Sequence, residues 1–183
     1  MLVTGPARSG KSEWAEALAL ESGKQVIYVA TAQLDPTDRE WQSRIEQHRE
    51  RRPGHWKTVE VPVDLGGMIQ SAGKDDCLLI DSLGTWVANH LEEDETVWLE
   101  TLQLLLARLR ETAATVILVA EETGWGLVPA YPVGRLFRDR LGNLVRKVGA
   151  IANPAYLVTG GYVLNLNALG VPLPTGSNKQ PNA

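Results

Sequence analysis

A glycine-rich loop near the amino terminus has the composition of a polyphosphate-binding site. Its residues are, in order, Gly5, Pro6, Ala7, Arg8, Ser9, Gly10, Lys11 and Ser12, and they satisfy the phosphate-loop pattern G-x-x-x-x-G-K-S. Glycines allow backbone N–H groups to turn inward around an anion, and a following helix adds the partial positive charge of its amino terminus. Lys11 can reach the β- and γ-phosphates, and the Ser12 hydroxyl can bind Mg²⁺. The loop therefore predicts a protein that binds and cleaves a nucleoside triphosphate.

Asp81 is a candidate second ligand for the magnesium ion. It directly follows the apolar segment Cys77–Ile80, which is typical of a buried strand. A carboxylate at the end of a strand neighbouring that of the phosphate loop can hold the Mg²⁺ shell. The alternative is a helix cap, because Asp81 and Ser82 precede a predicted helix. The two roles can coexist, and we favour the metal role.

A histidine in a basic segment is a candidate nucleophile. The segment Thr37–Arg52 is predicted to be helical, and His48 shares one face of it with Trp41 and Ile45. Arginines surround this histidine in the sequence, at Arg44, Arg49, Arg51 and Arg52. They can clamp phosphates, and they would lower the pKa of the imidazole and so favour its neutral, nucleophilic form. Two alternatives stay open: a core histidine on an apolar stripe, and solvated arginines paired with nearby glutamates.

The composition excludes several classes of protein. One cysteine in 183 residues allows no internal disulfide, which fits a reducing, cytoplasmic compartment. The formal net charge of −4 argues against a dedicated nucleic-acid binder. No apolar run approaches the roughly 20 residues that a membrane span needs. His48, His55, His90 and Cys77 lack the clustered spacing of a structural zinc site, and we interpret His55 as a loop or packing residue and His90 as a structural residue.

The elements that must position these residues alternate along the chain. Three apolar segments predict buried strands, namely Gln25–Ala30, Cys77–Ile80 and Thr115–Ala120. Helical patterns separate them, which is typical of a mostly parallel α/β sheet covered on both faces. Ala155–Thr159 and Tyr162–Leu166, joined at Gly160-Gly161, predict an antiparallel hairpin at one edge. We expect one domain over residues 1–169 and a flexible tail over residues 170–183.

Five ordered motifs resemble those of a known family. They are GPARSGKS, YVATAQ, DREWQSRIEQHRERRPGHWKTVEVP, GWGLVP and FRDRLG. In this order they are similar to adenosylcobinamide kinase / adenosylcobinamide-phosphate guanylyltransferase, a bifunctional enzyme of cobalamin biosynthesis. The resemblance covers nearly the whole chain up to the expected tail. It implies a three-layer P-loop NTPase fold of the RecA-like type and assembly as a homotrimer.

The resemblance also implies a reaction and a set of site residues. Such enzymes phosphorylate adenosylcobinamide with ATP or GTP, and then transfer GMP from GTP to adenosylcobinamide phosphate through a guanylyl-histidine. That histidine corresponds to His48, with Lys11 as the second catalytic residue and Ser12 and Asp81 on Mg²⁺. Besides the phosphate loop, the positions implied around the nucleotide are Ala30, Thr31, Ala32, Arg49, Arg52, Glu60 and Asp81.

The sequence departs from the family pattern at two places. Glu121-Glu122 stands where the family commonly has Asn-Glu, and Val145-Arg146 stands where it often has Asn-Gln. The region from Gly124 to Gly142 is where we expect the corrinoid to bind.

Two other functions are compatible with a phosphate loop alone. One is a small-molecule kinase without guanylyltransferase activity, in which Arg135, Arg138 and Arg140 form a lid and His48 is structural. The other is a regulatory protein that binds a nucleotide and hydrolyses it slowly.

Overall fold

The computed structural model describes residues 1–33, 46 and 52–174. Within this part of the chain, seven strands form one sheet in the order β3-β2-β4-β5-β1-β6-β7. All neighbouring pairs are parallel except β6 and β7, which are antiparallel. The strands are β1 (Leu2–Gly5), β2 (Gln25–Ala30), β3 (Lys57–Glu60), β4 (Asp76–Asp81), β5 (Thr115–Glu121), β6 (Ala155–Thr159) and β7 (Tyr162–Asn165).

Helices cover both faces of this sheet. They are α1 (Lys11–Glu21), α2 (Leu65–Ser71), α3 (Leu83–Asn89), α4 (Glu95–Glu111), α5 (Pro132–Gly149) and α6 (Leu166–Leu169). Successive residues of a strand point to opposite faces, so β4 divides its apolar side chains between two cores. Leu78 and Ile80 belong to the core that α2, α3, α4 and α5 complete, whereas Cys77 and Leu79 belong to the core that α1 completes. The predicted three-layer α/β architecture is confirmed.

The hairpin at the end of the sheet also has the predicted form. Gly160 and Gly161 join β6 to β7, and both have positive φ angles of 58° and 81°. The sequence prediction extended the last strand to Leu166 and did not include helix α6. Asn165 ends that strand instead, because its side chain accepts hydrogen bonds from the N–H groups of Asn167 and Ala168 and so caps α6.

The order of the strands corrects one expectation about the site. The sequence analysis places Asp81 on a strand next to the phosphate-loop strand. In the structure β5 lies between β4, which ends at Asp81, and β1, which leads into the loop. The strand that adjoins β1 therefore ends at Glu121, which pairs with Gly5.

Two other predicted segments lie largely outside the described residues. The helix predicted over Thr37–Arg52 is described only at Glu46, which is helical, and at Arg52. Of the predicted tail, residues 170–174 are exposed and have no regular secondary structure, and residues 175–183 lie outside the described part.

Candidate functional site

The phosphate loop connects β1 to α1 and has the conformation that its glycines predict. Gly10 has a φ of 90° and Arg8 a φ of 57°, so the chain turns twice through the left-handed region. A Cβ atom on Gly5 would lie 2.7 Å from the Ser9 hydroxyl and closer still to the Val158 carbonyl oxygen, so this position requires glycine. Because no side chain caps the amino terminus of α1, its first N–H groups point at the loop without a side-chain acceptor. An anion in the loop would satisfy them.

Lys11 is the cation of this loop. It is the first residue of α1, and its Nζ donates a hydrogen bond to the carbonyl oxygen of Pro6 at 3.3 Å. The lysine side chain thus crosses the loop rather than extending into solvent. Ser12 follows it in the first turn of the helix, and its side chain is half-buried. The structure therefore brings together all the parts of the predicted phosphate loop.

Three predicted nucleotide-site residues lie in one row at the carboxyl edge of the sheet. Ala30 pairs with Glu60 on one side and with Asp81 on the other. The Tyr28 hydroxyl donates a hydrogen bond to Oδ2 of Asp81 at 3.1 Å. Burial first, and then the negative charge of Asp81, raise the pKa of Tyr28, so its hydroxyl stays protonated and orients the carboxylate.

Arg52 lies against the same tyrosine. The Cζ atom of its guanidinium lies 3.6 Å from the centroid of the Tyr28 ring, in a cation–π contact. Its NH1 group also donates to the Thr58 hydroxyl at 3.5 Å. The predicted arginine therefore lies against β2 and β3, the strands that carry Ala30 and Glu60, where an anionic ligand would meet its charge.

Thr31 lies next to the site, but its side chain bonds to the protein backbone and is not available to a ligand. The residue is fully buried, and its hydroxyl donates to the carbonyl oxygen of Ser82 at 2.7 Å and accepts from the Ser82 N–H at 2.9 Å. It also contacts the Thr85 hydroxyl. Thr31 thus fixes the turn that follows Asp81, while the neighbouring Ala30 and Ala32 are half-buried.

The turn after Asp81 settles which residue caps the following helix. The side chain of Ser82 accepts a hydrogen bond from the Thr85 N–H, and the two residues form a capping box at the start of α3. The alternative interpretation of Asp81 as the cap is therefore wrong. Its carboxylate is directed to Tyr28 instead.

Sequence reasoning missed the role of two glutamates at the end of β5. Glu121 accepts a hydrogen bond from the Gly84 N–H at 3.0 Å, and burial raises its pKa. The Glu122 carboxylate accepts from the Thr4 hydroxyl at 2.8 Å, while its N–H donates to the Gly5 carbonyl at 2.9 Å. The sequence does contain an acidic pair directly after a predicted buried strand. The sequence analysis noted this pair only as a departure from the family pattern. The pair joins the phosphate-loop strand to the turn after Asp81.

The position of Arg140 contradicts the alternative in which this residue forms part of the lid of a small-molecule kinase. Its side chain is only 5% exposed, and its guanidinium donates to the carbonyl oxygens of His90 and Glu93 at 2.7 and 2.8 Å. Such a buried clamp cannot serve in a lid. His90 itself is buried and its Nδ1 lies 2.7 Å from Glu93 Oε1, which confirms a structural role. His55 lies exposed in a turn.

The predicted nucleophile and part of its basic segment lie outside the described residues. His48, Arg44, Arg49 and Arg51 belong to this group, so their roles stay predictions. Among the described residues, no group of three or more His, Cys, Asp and Glu side chains could hold a metal ion by itself. Ser12 and Asp81 nevertheless supply the oxygen donors that Mg²⁺ uses when phosphates and waters complete its shell. In the same part of the chain, no helix combines the length and apolarity needed to cross a membrane.

Comparison with known proteins assigns the family. A family model described as cobinamide kinase / cobinamide phosphate guanyltransferase matches residues 1–166. The chain belongs to this family. The match spans the phosphate loop, the carboxyl edge of the sheet and helix α5, so it includes each part of the site described above. The resemblance noted in the sequence is confirmed.

Three relatives of this family carry similar descriptions. A bifunctional adenosylcobalamin biosynthesis protein of Pseudomonas aeruginosa is 42% identical, over 94% of this chain and 95% of the relative. Proteins with that description from Salmonella typhimurium and Escherichia coli are 37% and 39% identical, each over 88% of this chain and 96% of the relative. The solved structure of the RadB recombinase overlaps with a TM-score of 0.42 and 19% identity, over 76% of this chain and 70% of that one.

Proposed function

We propose that this protein phosphorylates adenosylcobinamide and then converts the phosphate to adenosylcobinamide-GDP, in the assembly of the cobalamin nucleotide loop. The observation that carries the proposal is the complete phosphate loop with Asp81 at the same edge of the sheet, in a chain that matches the family over residues 1–166. The fold alone would permit many reactions of nucleotides. Family membership selects this pair of activities among them.

In the kinase step, the phosphate loop would hold the triphosphate of ATP or GTP. The acceptor hydroxyl oxygen attacks the γ-phosphorus, and the nucleoside diphosphate leaves from the opposite side. Lys11 neutralises charge on the β- and γ-phosphoryl oxygens, because its ammonium lies across the loop. Ser12 and Asp81 would hold Mg²⁺, which when bound offsets the negative charge of the phosphates.

In the guanylyl step, His48 is the proposed nucleophile. A neutral imidazole nitrogen attacks the α-phosphorus of GTP, the bond to the β,γ-diphosphate breaks, and pyrophosphate leaves. An oxygen of the acceptor phosphate then attacks the guanylyl phosphorus, and the imidazole departs. Arg49 and Arg52 would neutralise the oxygens of the phosphoryl group in transit. Arg52 lies on the ring of Tyr28, whose hydroxyl donates to Asp81, and this position supports the role.

A labelling experiment tests the histidine intermediate. The protein is incubated with Mg²⁺ and GTP labelled with ³²P at the α-phosphate, and then denatured in SDS. We expect label that survives alkali, is lost in acid and is absent from His48→Ala. The matched control is His55→Ala, which alters an exposed histidine in the nearby turn and should label as the native protein does.

Each contrary result has a distinct meaning. Native protein that takes up no label, yet phosphorylates adenosylcobinamide, would be a kinase without guanylyltransferase activity. Label that persists in His48→Ala would exclude His48 as the nucleophile.

We further propose a cytoplasmic homotrimer. The support is an apolar surface at the β7 edge of the sheet, where Tyr162 is 74% exposed and Val171 is 92% exposed. Val163, Leu164, Leu166, Leu169 and Leu173 extend this surface. Exposed apolar patches of this kind mark contact sites between proteins.

A further inference from the structure

A pocket opens between the end of β5 and helix α5. Its volume is about 460 Å³, which lies within the range of small-molecule sites. It lies in the region where the sequence analysis expects the corrinoid, and it extends along α5 to the second departure from the family pattern. The lining residues are Glu121, Glu122, Thr123, Gly124, Arg138, Asp139, Gly142, Asn143, Val145 and Arg146.

The pocket adjoins the phosphate loop through the two glutamates. Glu121 pairs with Gly5 at the end of β1, and the Glu122 N–H donates to the carbonyl oxygen of Gly5. Both glutamates also line the pocket. A group bound in the pocket therefore lies next to the strand end that leads into the loop, at the end of the strand that separates β1 from β4. This is the placement that an acceptor for a phosphoryl group needs.

Helix α5 contributes polar side chains to the pocket wall, and two of them have hydrogen-bonding groups that a ligand could use. Within the described chain the guanidinium of Arg146 has no ion pair or hydrogen bond, whereas Arg138 donates to the Gly124 carbonyl at 3.2 Å. The amide oxygen of Asn143 is buried and has no hydrogen-bond partner in the same described residues. A buried polar atom without a partner indicates a missing donor, which a ligand can supply. Arginine is well suited to a phosphate, because its donors form a fixed fork.

The pocket has an apolar border that suits a larger group outside it. The segment that leads from the pocket to α5 exposes Trp125 by 61% and Leu127 by 96%. A corrin macrocycle with its peripheral amides is too large for about 460 Å³, but a single side arm is not. The ring would then rest on this border while the arm enters.

We propose that this pocket receives the aminopropanol arm of the acceptor, with Arg146 binding the phosphate that the arm carries after the first step. Asn143 accepts a hydrogen bond from an N–H or O–H group of the arm, and Trp125 contacts the corrin ring. The inference rests on the proposed function, since it names the acceptor site of that same reaction.

Equilibrium binding tests the role of Arg146. Cobinamide and cobinamide phosphate are each titrated by calorimetry into the full-length protein without nucleotide. We expect Arg146→Gln to weaken the binding of cobinamide phosphate roughly tenfold, as for the loss of one charge-assisted hydrogen-bonded contact. The binding of cobinamide should weaken less than twofold. Trp125→Ala should weaken the binding of both acceptors by the same factor. The matched control is Lys147→Gln, which removes the same charge from the next residue of α5, outside the pocket lining.

Two results would overturn the inference. One is equal binding of cobinamide phosphate to Arg146→Gln and to the native protein; the other is an equal loss in Lys147→Gln. Either result in a protein that still labels with GTP and turns over cobinamide leaves the proposed function intact. Native protein that binds neither acceptor and takes up no label would instead contradict both. Arg146 is exposed, so its replacement leaves the core unchanged, and matching melting temperatures verify this.

Discussion

Glu121, which pairs with the residue that begins the phosphate loop, lies in an environment unlike that of a surface carboxylate. Burial disfavours its charged form and raises its pKa, and the negative charge of Asp81 acts in the same direction. Hydrogen bonding to Ser82 and the charge of Lys11 oppose this shift without cancelling it. The carboxyl group therefore holds its proton at a higher pH in the folded protein than in the unfolded chain.

The pH dependence of stability follows from that difference. Between the unfolded and folded pKa values of Glu121 the native state binds more protons, so this residue lowers the free energy of unfolding as pH rises. The loss of stability that Glu121 causes is absent at pH values below its pKa in the unfolded chain. It is complete at pH values above its pKa in the folded protein. We expect Glu121→Gln to raise the melting temperature at pH 8 and to leave it nearly unchanged at pH 4, because glutamine still accepts from the Gly84 N–H.

Scanning calorimetry of the nucleotide-free protein at both pH values measures this effect. The informative quantity is the difference between native and Glu121→Gln melting temperatures at each pH, which cancels the contribution of other titrating groups. An equal difference at pH 4 and pH 8 would contradict the raised pKa.

At the scale of elements, Arg140 shows how one helix fixes the connection between two others. It lies on α5, and its guanidinium donates to the carbonyl oxygens of His90 and Glu93, which follow the end of α3. The same group lies 5.1 Å from the centroid of the Trp98 ring on α4. Helix ends leave carbonyl groups without internal partners, so the buried carbonyl group of His90 needs such a donor. The FRDRLG motif is therefore at least partly a structural motif.

Replacing Arg140 with a residue of similar length tests this clamp. We expect Arg140→Met to lower the free energy of unfolding by about 3 kcal/mol, because one buried and one partly buried carbonyl oxygen lose their donors. Urea unfolding followed by circular dichroism measures the change. The control is Arg135→Met on the exposed side of the same helix, which should change stability by less than about 0.5 kcal/mol. Equal effects of the two substitutions would show that Arg140 is not a clamp.

The elements also show what the sequence could and could not predict. The strand Gln25–Ala30 was predicted with its observed bounds, because a fully apolar, β-branched run between helical segments admits few alternatives. The insertion of β5 between β4 and β1 was not predicted, since strand order depends on long-range pairing that no local pattern records. For the same reason, Glu121 was noticed only as a departure from the family pattern. The burial of Arg140 was missed because an arginine in a charged motif is usually exposed.

At the scale of the whole molecule, the two edges of the sheet differ. The β3 edge carries the polar sequence KTVE, whose charged ends are typical of an exposed edge strand. The β7 edge carries YVLN and continues into an exposed apolar helix, α6. Within the described residues no further strand pairs with β7, and an open apolar edge is a ready pairing surface, which monomeric proteins avoid. The asymmetry supports assembly through the β7 edge.

Charges introduced at that edge test the proposed trimer. Sedimentation velocity of the native protein should give the mass of three chains of 20.0 kDa, about 60 kDa, and the double variant Val163→Lys/Leu164→Lys should give one chain. Both side chains lie on the solvent-accessible edge strand, so lysines there prevent pairing without entering the core. Val133→Lys, on the exposed first turn of α5, serves as the control and should remain trimeric. A native monomer would contradict the trimer, and a trimeric double variant with native circular dichroism would place its interface elsewhere.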